Sequence, residues 1–443
     1  MKKADKFELI NPHAAGIDVG SRFHYVCVGA DKNAQSVRKF DCFTPDLQKL
    51  ADWLIECKIS TVAMESTGVY WIPVFQILES RGLDVILVNA RHVKNLPGRK
   101  TDVQDCQWLQ QLHTYGLLNG SFRPDADICV LRSYVRQRDN LIRSAASHTQ
   151  RMQKALTQMN LQLHKVISDI TGATGIAIIK AIIDGERDPM ILAKLRNKQI
   201  KNDEEVIANA LIGDYREEHL FSLKQEYELY CFYQTKIAEC DNQILTFYQN
   251  VTTHTDIEKK PLTKKKSKGR KSHPKFDLRH ELYRIIGSDT TSIPGFDVLT
   301  IQSIISEVGL DMTKWPTEKH FSSWLGLSPG NKISGDKILS TKTRKVINRA
   351  TVAFRMAAYA AGKSQTALGA YYRRLKTRIG APKAITATAR KLACIFYRLL
   401  KFGNEYIEKG MDYYETRYKD RVIKNLKNRA QEFGYNLIEI TSG

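Results

Sequence analysis

Over roughly the first 120 positions the apolar residues alternate between two periodicities. His13 to Val19 and Phe23 to Gly29 are rich in β-branched and apolar residues and are parted by Gly20-Ser21, the pattern of two strands joined by a hairpin turn. Ser36 to Cys42 reads as a third antiparallel strand. Thr44-Pro45-Asp46 then opens a helix whose apolar face carries Leu47, Leu50, Trp53, Leu54 and Ile55. Short apolar runs at Thr61 to Met64 and Val85 to Val88 predict buried strands, with a helix from Trp71 to Leu78 between them and another from Asp102 to Leu118 after them. Three antiparallel strands followed by α-β-α-β-α define an α/β unit, a mixed sheet flanked by helices.

The pattern then turns helical. From Asp125 to Met159, Leu131, Val135, Ile142, Ala145, Met152 and Leu156 recur at threes, fours and sevens, and a second long helical stretch runs from Asn202 to Asn250. Together they predict an antiparallel helical hairpin or coiled coil. Ser292 to Gly403 reads as a compact, mostly helical domain, followed by a charged helical tail. Within it, Ile293-Pro294-Gly295-Phe296 ahead of an apolar helix from Val298 to Val308 resembles a helix-hairpin-helix turn, in which N–H groups at a helix start face a phosphate. The expected divisions are 1–122, 123–258, a basic linker at 259–280, 281–403, and a tail at 404–443.

Composition narrows the class. At 443 residues the chain exceeds one ordinary core, and 42% hydrophobic with 26% charged residues excludes a mostly disordered or fibrous protein. No apolar run approaches the ~18–20 residues that span a bilayer, and the N-terminus has no secretory apolar core. A soluble, cytoplasmic protein with no membrane partner is expected. Eight scattered cysteines without a CxxC pair argue against a zinc site and a disulfide framework.

Charge points to the partner. Lys plus Arg number 68 against 47 Asp plus Glu, a net +21, which favours a polyanion such as DNA, RNA or an acidic membrane surface. The excess peaks at Lys259 to Lys275, with nine Lys or Arg and no acid. This segment has too little apolar surface to fold alone and reads as a solvated linker, a flexible phosphate-binding arm, or both; its candidate nucleic-acid-binding residues are Lys264, Lys265, Lys266, Lys268, Arg270 and Lys271.

Four acids stand out by position. Asp18 lies in GIDVGS on the first strand, Glu65 in AMESTG at the end of a short buried strand, and Asp102 and Asp105 in RKTDVQD at a helix start, three apart and so on one face. Mixed sheets gather site residues at strand ends. Four such carboxylates are hard oxygen ligands suited to Mg²⁺ or Mn²⁺, which activates a nucleophile and shields phosphate charge. Each also has a plain structural alternative: a strand-end turn for Asp18, a helix-capping acid for Glu65, an N-cap for Asp102.

These blocks, GIDVGSRFHYVCV, VAMESTGVYWIPVFQIL and VNARHVKNLPGRKTDVQDCQWLQQL, resemble the RuvC-like, ribonuclease-H-fold domain of the insertion-sequence-110 family of DEDD transposases. SIPGFDVLTIQSIISEVG and FSSWLGLSPGNKISGDKILSTKTRKVINRATV resemble that family's C-terminal transposase domain. The fold class so implied is α/β plus α: a RuvC-like mixed-sheet domain, a long helical coiled-coil middle and a mostly helical C-terminal domain.

The resemblance implies a transposase or recombinase of an insertion sequence. Asp18, Glu65, Asp102 and Asp105 stand as its catalytic, metal-binding set, and Ser334 in KISGDK as a nucleophile that becomes bonded to a DNA phosphate. Lys337, Lys342, Arg344, Lys345 and Arg349 supply positive charge nearby in sequence. Donor and target DNA, an element-encoded guide RNA, and a homo-oligomer (dimers pairing into a tetramer) are the implied partners, in a prokaryotic, nucleoid-associated setting. Without the resemblance, Ser334 reads as an ordinary turn hydroxyl, and Ser328 and Ser340 compete with it. Two rivals share the underlying fold: a metal-dependent structure-specific endonuclease that uses water, and an actin-like kinase or ATPase. The latter needs a second similar half, and none is visible after about residue 120. Tyr371-Tyr372 reads as packing or stacking residues rather than as a recombinase nucleophile.

Overall fold

The computed structural model describes residues 8–66, 68–89, 101–255, 261–262, 272–335, 337–346 and 348–438; side chains are not described at 338 and 404–415. It divides into two compact units, Met1–Arg123 and Pro124–Gly443.

The first unit is a five-stranded mixed sheet. Its strands are β1 (Ala14–Val19), β2 (Phe23–Cys27), β3 (Val37–Asp41), β4 (Thr61–Glu65) and β5 (Asp84–Val88), in the spatial order β3-β2-β1-β4-β5. β1 pairs antiparallel with β2 and parallel with β4, so it sits at the centre. One face carries Ile17, Val62 and Met64 into a core with Leu47, Leu50 and Leu54 of α1 (Thr44–Glu56) and Val74 and Leu78 of α2 (Trp71–Ser80). The other face is covered by α3 (Asp102–Thr114), where Val88 packs with Leu109. Both strand and helix periods read from the sequence therefore reappear, with one shortening. The helix expected to reach Leu118 ends at Thr114, because Gly116 takes a left-handed φ of +67° and the Leu117 N–H turns back to the Leu112 carbonyl, 2.9 Å away.

Gly16 lets α3 lie on β1 backbone to backbone. A Cβ there would stand 2.3 Å from the Gln110 amide nitrogen and 2.5 Å from the Cys106 carbonyl oxygen. Gly16→Ala is expected to cost about 1–3 kcal/mol or more, since neither contact is a side chain that can swing away. Chemical denaturation checks this; a variant as stable as the parent would contradict it.

The second unit begins with α4 (Ala126–Gln158), paired with α9 (Glu217–Asn250). Residues early in α4 meet residues late in α9 (Arg138 with Asp241, His148 with Glu226), which makes the pair an antiparallel hairpin. Between them α5 (Leu163–Val166), α6 (Ala173–Ile183), α7 (Pro189–Lys194) and α8 (Glu204–Asn209) bury Ile178, Ile179, Ile182 and Leu192 with Met152, Leu156 and Leu223 of the long helices. The continuous helix expected from Asn202 is broken. Asp203 caps the short α8 through the Val206 amide at 2.9 Å, and Gly213 presses on the end of α4, where a Cβ would lie 2.2 Å from the Met159 carbonyl.

The rest comprises α10 (Leu278–Ile286), α11 (Val298–Val308), α12 (Glu318–Trp324), a hairpin of β6 (Lys332–Ser334) and β7 (Lys337–Ser340), α13 (Arg349–Ala361), α14 (Ala367–Ile379), α15 (Ala381–Phe402) and α16 (Asn404–Glu432). Its centre is aromatic: Phe296, Phe321, Phe354, Phe396 and Tyr397 contact one another edge-on or tilted. The turn before α11 is a packing device. Gly295, at φ +93°, rests against the Ala357 carbonyl, and the Asp297 carboxylate accepts from the Thr300 amide at 2.8 Å. That carboxylate occupies the helix start where the sequence had suggested a phosphate. Among the described residues no helix is long and apolar enough to cross a membrane, and no second five-stranded sheet accompanies the first, as a two-halved kinase would require.

Candidate active site

Register and helix direction settle where the four acids stand. Asp18 and Glu65 each follow the last parallel pair between β1 and β4, Ile17 with Met64, so they occupy equivalent strand-end positions. Ile17 and Met64 face α1 and α2, and alternation turns Asp18 and Glu65 to the opposite face. Val88, paired with Glu65 in β5, packs there with Leu109 of α3.

α3 runs antiparallel to β1. The Ile10 and Asn11 amides, just before β1, both donate to the Thr114 carbonyl at the helix end at 3.0 Å. Thr61, at the start of β4, contacts His113 Nε2 at 2.9 Å. The strand ends with Asp18 and Glu65 therefore lie toward the start of α3, which carries Asp102 and Asp105. Cys106 and Leu109, both buried against the sheet, sit four residues after Asp102 and Asp105, placing these acids one turn beyond the buried contact. Thr101, rather than Asp102, caps the helix through the Gln104 amide at 3.3 Å. Asp102 is the first helical residue, exposed, and Asp105 half-buried.

Cys106 reports the closeness of Asp18. Its thiol is pushed far up, first by its hydrogen bond with Cys27 of β2, then by burial, with the Asp18 charge adding to the effect. Sequence spacing could not signal this thiol pair, since Cys27 and Cys106 belong to distant segments.

The donor chemistry, four hard carboxylates, suits a divalent cation such as Mg²⁺. Among the described residues, however, no three His, Cys, Asp or Glu side chains are drawn around one point closely enough to hold an ion. The acids share one end of the α3-covered face without forming a coordination sphere.

Ser334 lies at the tip of the β6–β7 hairpin, exposed, opposite Lys337 and followed by Gly335 at φ +52° with open space around it. The competing serines are engaged elsewhere: Ser328 Oγ lies 3.0 Å from Ser322 Oγ, and Ser340 Oγ accepts from the Lys342 amide at 3.2 Å. Of the expected cations, Lys337, Lys342 and Lys345 are exposed. Arg344 donates to the Ser323 and Trp324 carbonyls at 3.1 and 3.3 Å, and Arg349 pairs with Asp139 of α4 at 3.5 Å, so both also brace the fold. Lys264, Lys265, Lys266, Lys268, Arg270 and Lys271 lie outside the described residues.

Comparison with known proteins places this arrangement. Residues 15–161, which include all four acids, match a family model described as a transposase, of the DEDD type of IS110. Residues 289–373, which include Ser334, match one described as the transposase IS116/IS110/IS902 family. The two matches together span just over half the chain. Over 118 residues, 26% of this chain, the sequence is 31% identical to the "Insertion element IS110 uncharacterized 43.6 kDa protein" of Streptomyces coelicolor, and the aligned part spans 29% of that relative's length. The class that both matched segments share is thus that of transposases. Within that class, the chain belongs to the IS110 family.

Proposed function

We propose that this protein is the transposase of an insertion element and that it cuts and rejoins DNA through a phosphoserine intermediate. The observation that supports the reading is that Asp18, Glu65, Asp102 and Asp105 all lie toward one end of the α3-covered face, though short of a coordination sphere, in a chain whose later family match contains the exposed Ser334. DEDD transposases generally depend on a divalent metal. Asp18, Glu65, Asp102 and Asp105 are the residues that would hold it, as Mg²⁺ or Mn²⁺, and when bound it would supply charge neutralisation at the phosphate.

The remaining chemistry belongs to the chain. Ser334 Oγ forms a bond to phosphorus while one P–O bond of the DNA breaks, and the departing deoxyribose oxygen takes up a proton. The nearby lysines offset the charge of the phosphate and favour ionisation of the hydroxyl. Since the number of phosphoester bonds is unchanged, a second DNA hydroxyl can reverse the step and join strands without ATP. The +21 charge supports contact with both DNA duplexes through their backbones, with an element-encoded guide RNA reading sequence by base pairing. A homodimer, pairing into a tetramer when donor and target meet, completes the reading.

The test is to incubate purified protein and its copurifying RNA with DNA carrying the element's ends and Mg²⁺, then digest and map adducts by mass spectrometry. A phosphodeoxynucleotide on Ser334, lost when EDTA replaces Mg²⁺, is expected. Cleavage without any adduct, or an adduct on another residue, would overturn the serine assignment.

A further inference from the structure

The β6–β7 hairpin is fixed at its root and exposed at its tip. At the root the Gly330 amide donates to the Lys342 carbonyl at 3.1 Å, Pro329 bridges Thr343 across the two strands, and the Arg344 guanidinium donates to the Ser323 and Trp324 carbonyls at the end of α12. At the tip Lys332, Ile333, Ser334, Lys337 and Leu339 are all exposed. Ile333 is 61% and Leu339 68% exposed. Apolar residues scattered singly over a surface are ordinary, but here two of them project on one arm beside its lysines and Ser334.

The register sorts these side chains. Ser334 pairs with Lys337, and Lys332 lies two residues back along the same strand, so Lys332, Ser334 and Lys337 share one face of the ribbon. Ile333, paired with residue 338, belongs to the opposite face. The pairing then passes from 338 to Ser340, opposite Lys332, which leaves Leu339 as the extra residue of a bulge. Bulges of this kind re-aim a side chain beside a site. From Asn331 to Arg349 the sequence holds six Lys or Arg and one acid, Asp336. A second copy of a chain with net charge +21 would bring like charge to such an arm, whereas a polyanion brings the complement. A two-stranded ribbon is narrow enough to enter a DNA groove, and apolar side chains are what part stacked bases once there.

We propose that the β6–β7 hairpin is a DNA-entering ribbon: Lys332 and Lys337 hold phosphates next to the one that Ser334 meets, while Ile333 and the bulged Leu339 wedge into the neighbouring base step and open it. The inference rests on the serine reading for the phosphate between the lysines, and adds to it the surface that seats the DNA. Ile333 and Leu339 are positioning residues, since they act on the base step and leave the bonds at phosphorus to Ser334.

The test is run in full-length Ser334→Ala protein, so that it does not depend on the covalent adduct. The protein and its copurifying RNA are mixed with Mg²⁺ and duplexes carrying the element's ends, each with 2-aminopurine at a different position; this base brightens when unstacked. One position is expected to brighten on binding and to lose that rise when Ile333→Asn and Leu339→Asn are added. Lys332→Ala and Lys337→Ala should each weaken binding and flatten the slope of log K against log salt by about 0.9, one phosphate contact apiece. The asparagine pair should leave that slope unchanged. No brightening at any position, brightening that survives the asparagine pair throughout, or unchanged slopes in both lysine variants would overturn the proposal. An asparagine pair that splits an oligomer of the protein would overturn it too, since the apolar tip would then cover a second copy. Should the asparagine pair melt below its parent, photocrosslinking of 4-thiothymidine at the bright position to protein with Ile333 and Leu339 in place decides: adducts on the peptide holding either residue support the wedge, and adducts elsewhere alone overturn it. A missing adduct in the protein with Ser334 intact, with brightening unimpaired, counts against the serine reading alone; an adduct on Ser334 without brightening counts against the wedge alone.

Discussion

Ser334→Ala is expected to abolish the covalent protein–DNA adduct and to reduce strand exchange by roughly 10³-fold or more, as removal of an enzyme's nucleophile does. The substitution should leave the fold intact. Ser334 is exposed at a hairpin tip beside a glycine with open space, so losing its hydroxyl unpacks nothing. A metal-dependent nuclease with the same acids would use water and keep cutting. The comparison therefore separates two chemistries that share one carboxylate set. Unaltered strand exchange in the variant, with normal melting, would remove Ser334 from the mechanism.

Asp241→Ala is expected to destabilise the helical hairpin by about 3–5 kcal/mol, the largest stability effect foreseen for a single substitution in this molecule. Arg138 and Asp241 are ion-paired across α4 and α9, with side chains 4% and 6% exposed. Arg138 also donates to the Ser272 carbonyl at 2.9 Å. Without that carboxylate, the buried guanidinium charge loses its direct ion-pair partner and keeps the neutral Ser272 carbonyl as acceptor. Urea unfolding measures the loss. Replacing the pair together, Arg138→Met with Asp241→Leu, should recover most of it, since no uncompensated charge then remains. A loss under ~1 kcal/mol for Asp241→Ala would mean that water reaches the pair.

The strand and helix pattern of the first unit was legible because strands and helices leave different marks: a short apolar and β-branched run closed by Gly20-Ser21 for Ala14–Val19, threes and fours for Thr44–Glu56. The candidate acids were legible by type and by their place at element ends. That Asp18 and Glu65 share a face with α3, and that α3 runs antiparallel to β1, depends on contacts such as those of Ile10 and Asn11 with Thr114, which no local pattern encodes. The break before α9 escaped for a similar reason. Gly213 is unremarkable in sequence and matters only because the end of α4 passes behind it.

The close seating of α3 on Gly16 also sets how the four acids can move. Asp18 and Glu65 ride on a sheet held by ladders on both sides, whereas Asp102 and Asp105 ride together on one helix. If the four acids hold an ion as proposed, Asp102 and Asp105 would have to approach it together, because one helix, packed closely on Gly16, carries both.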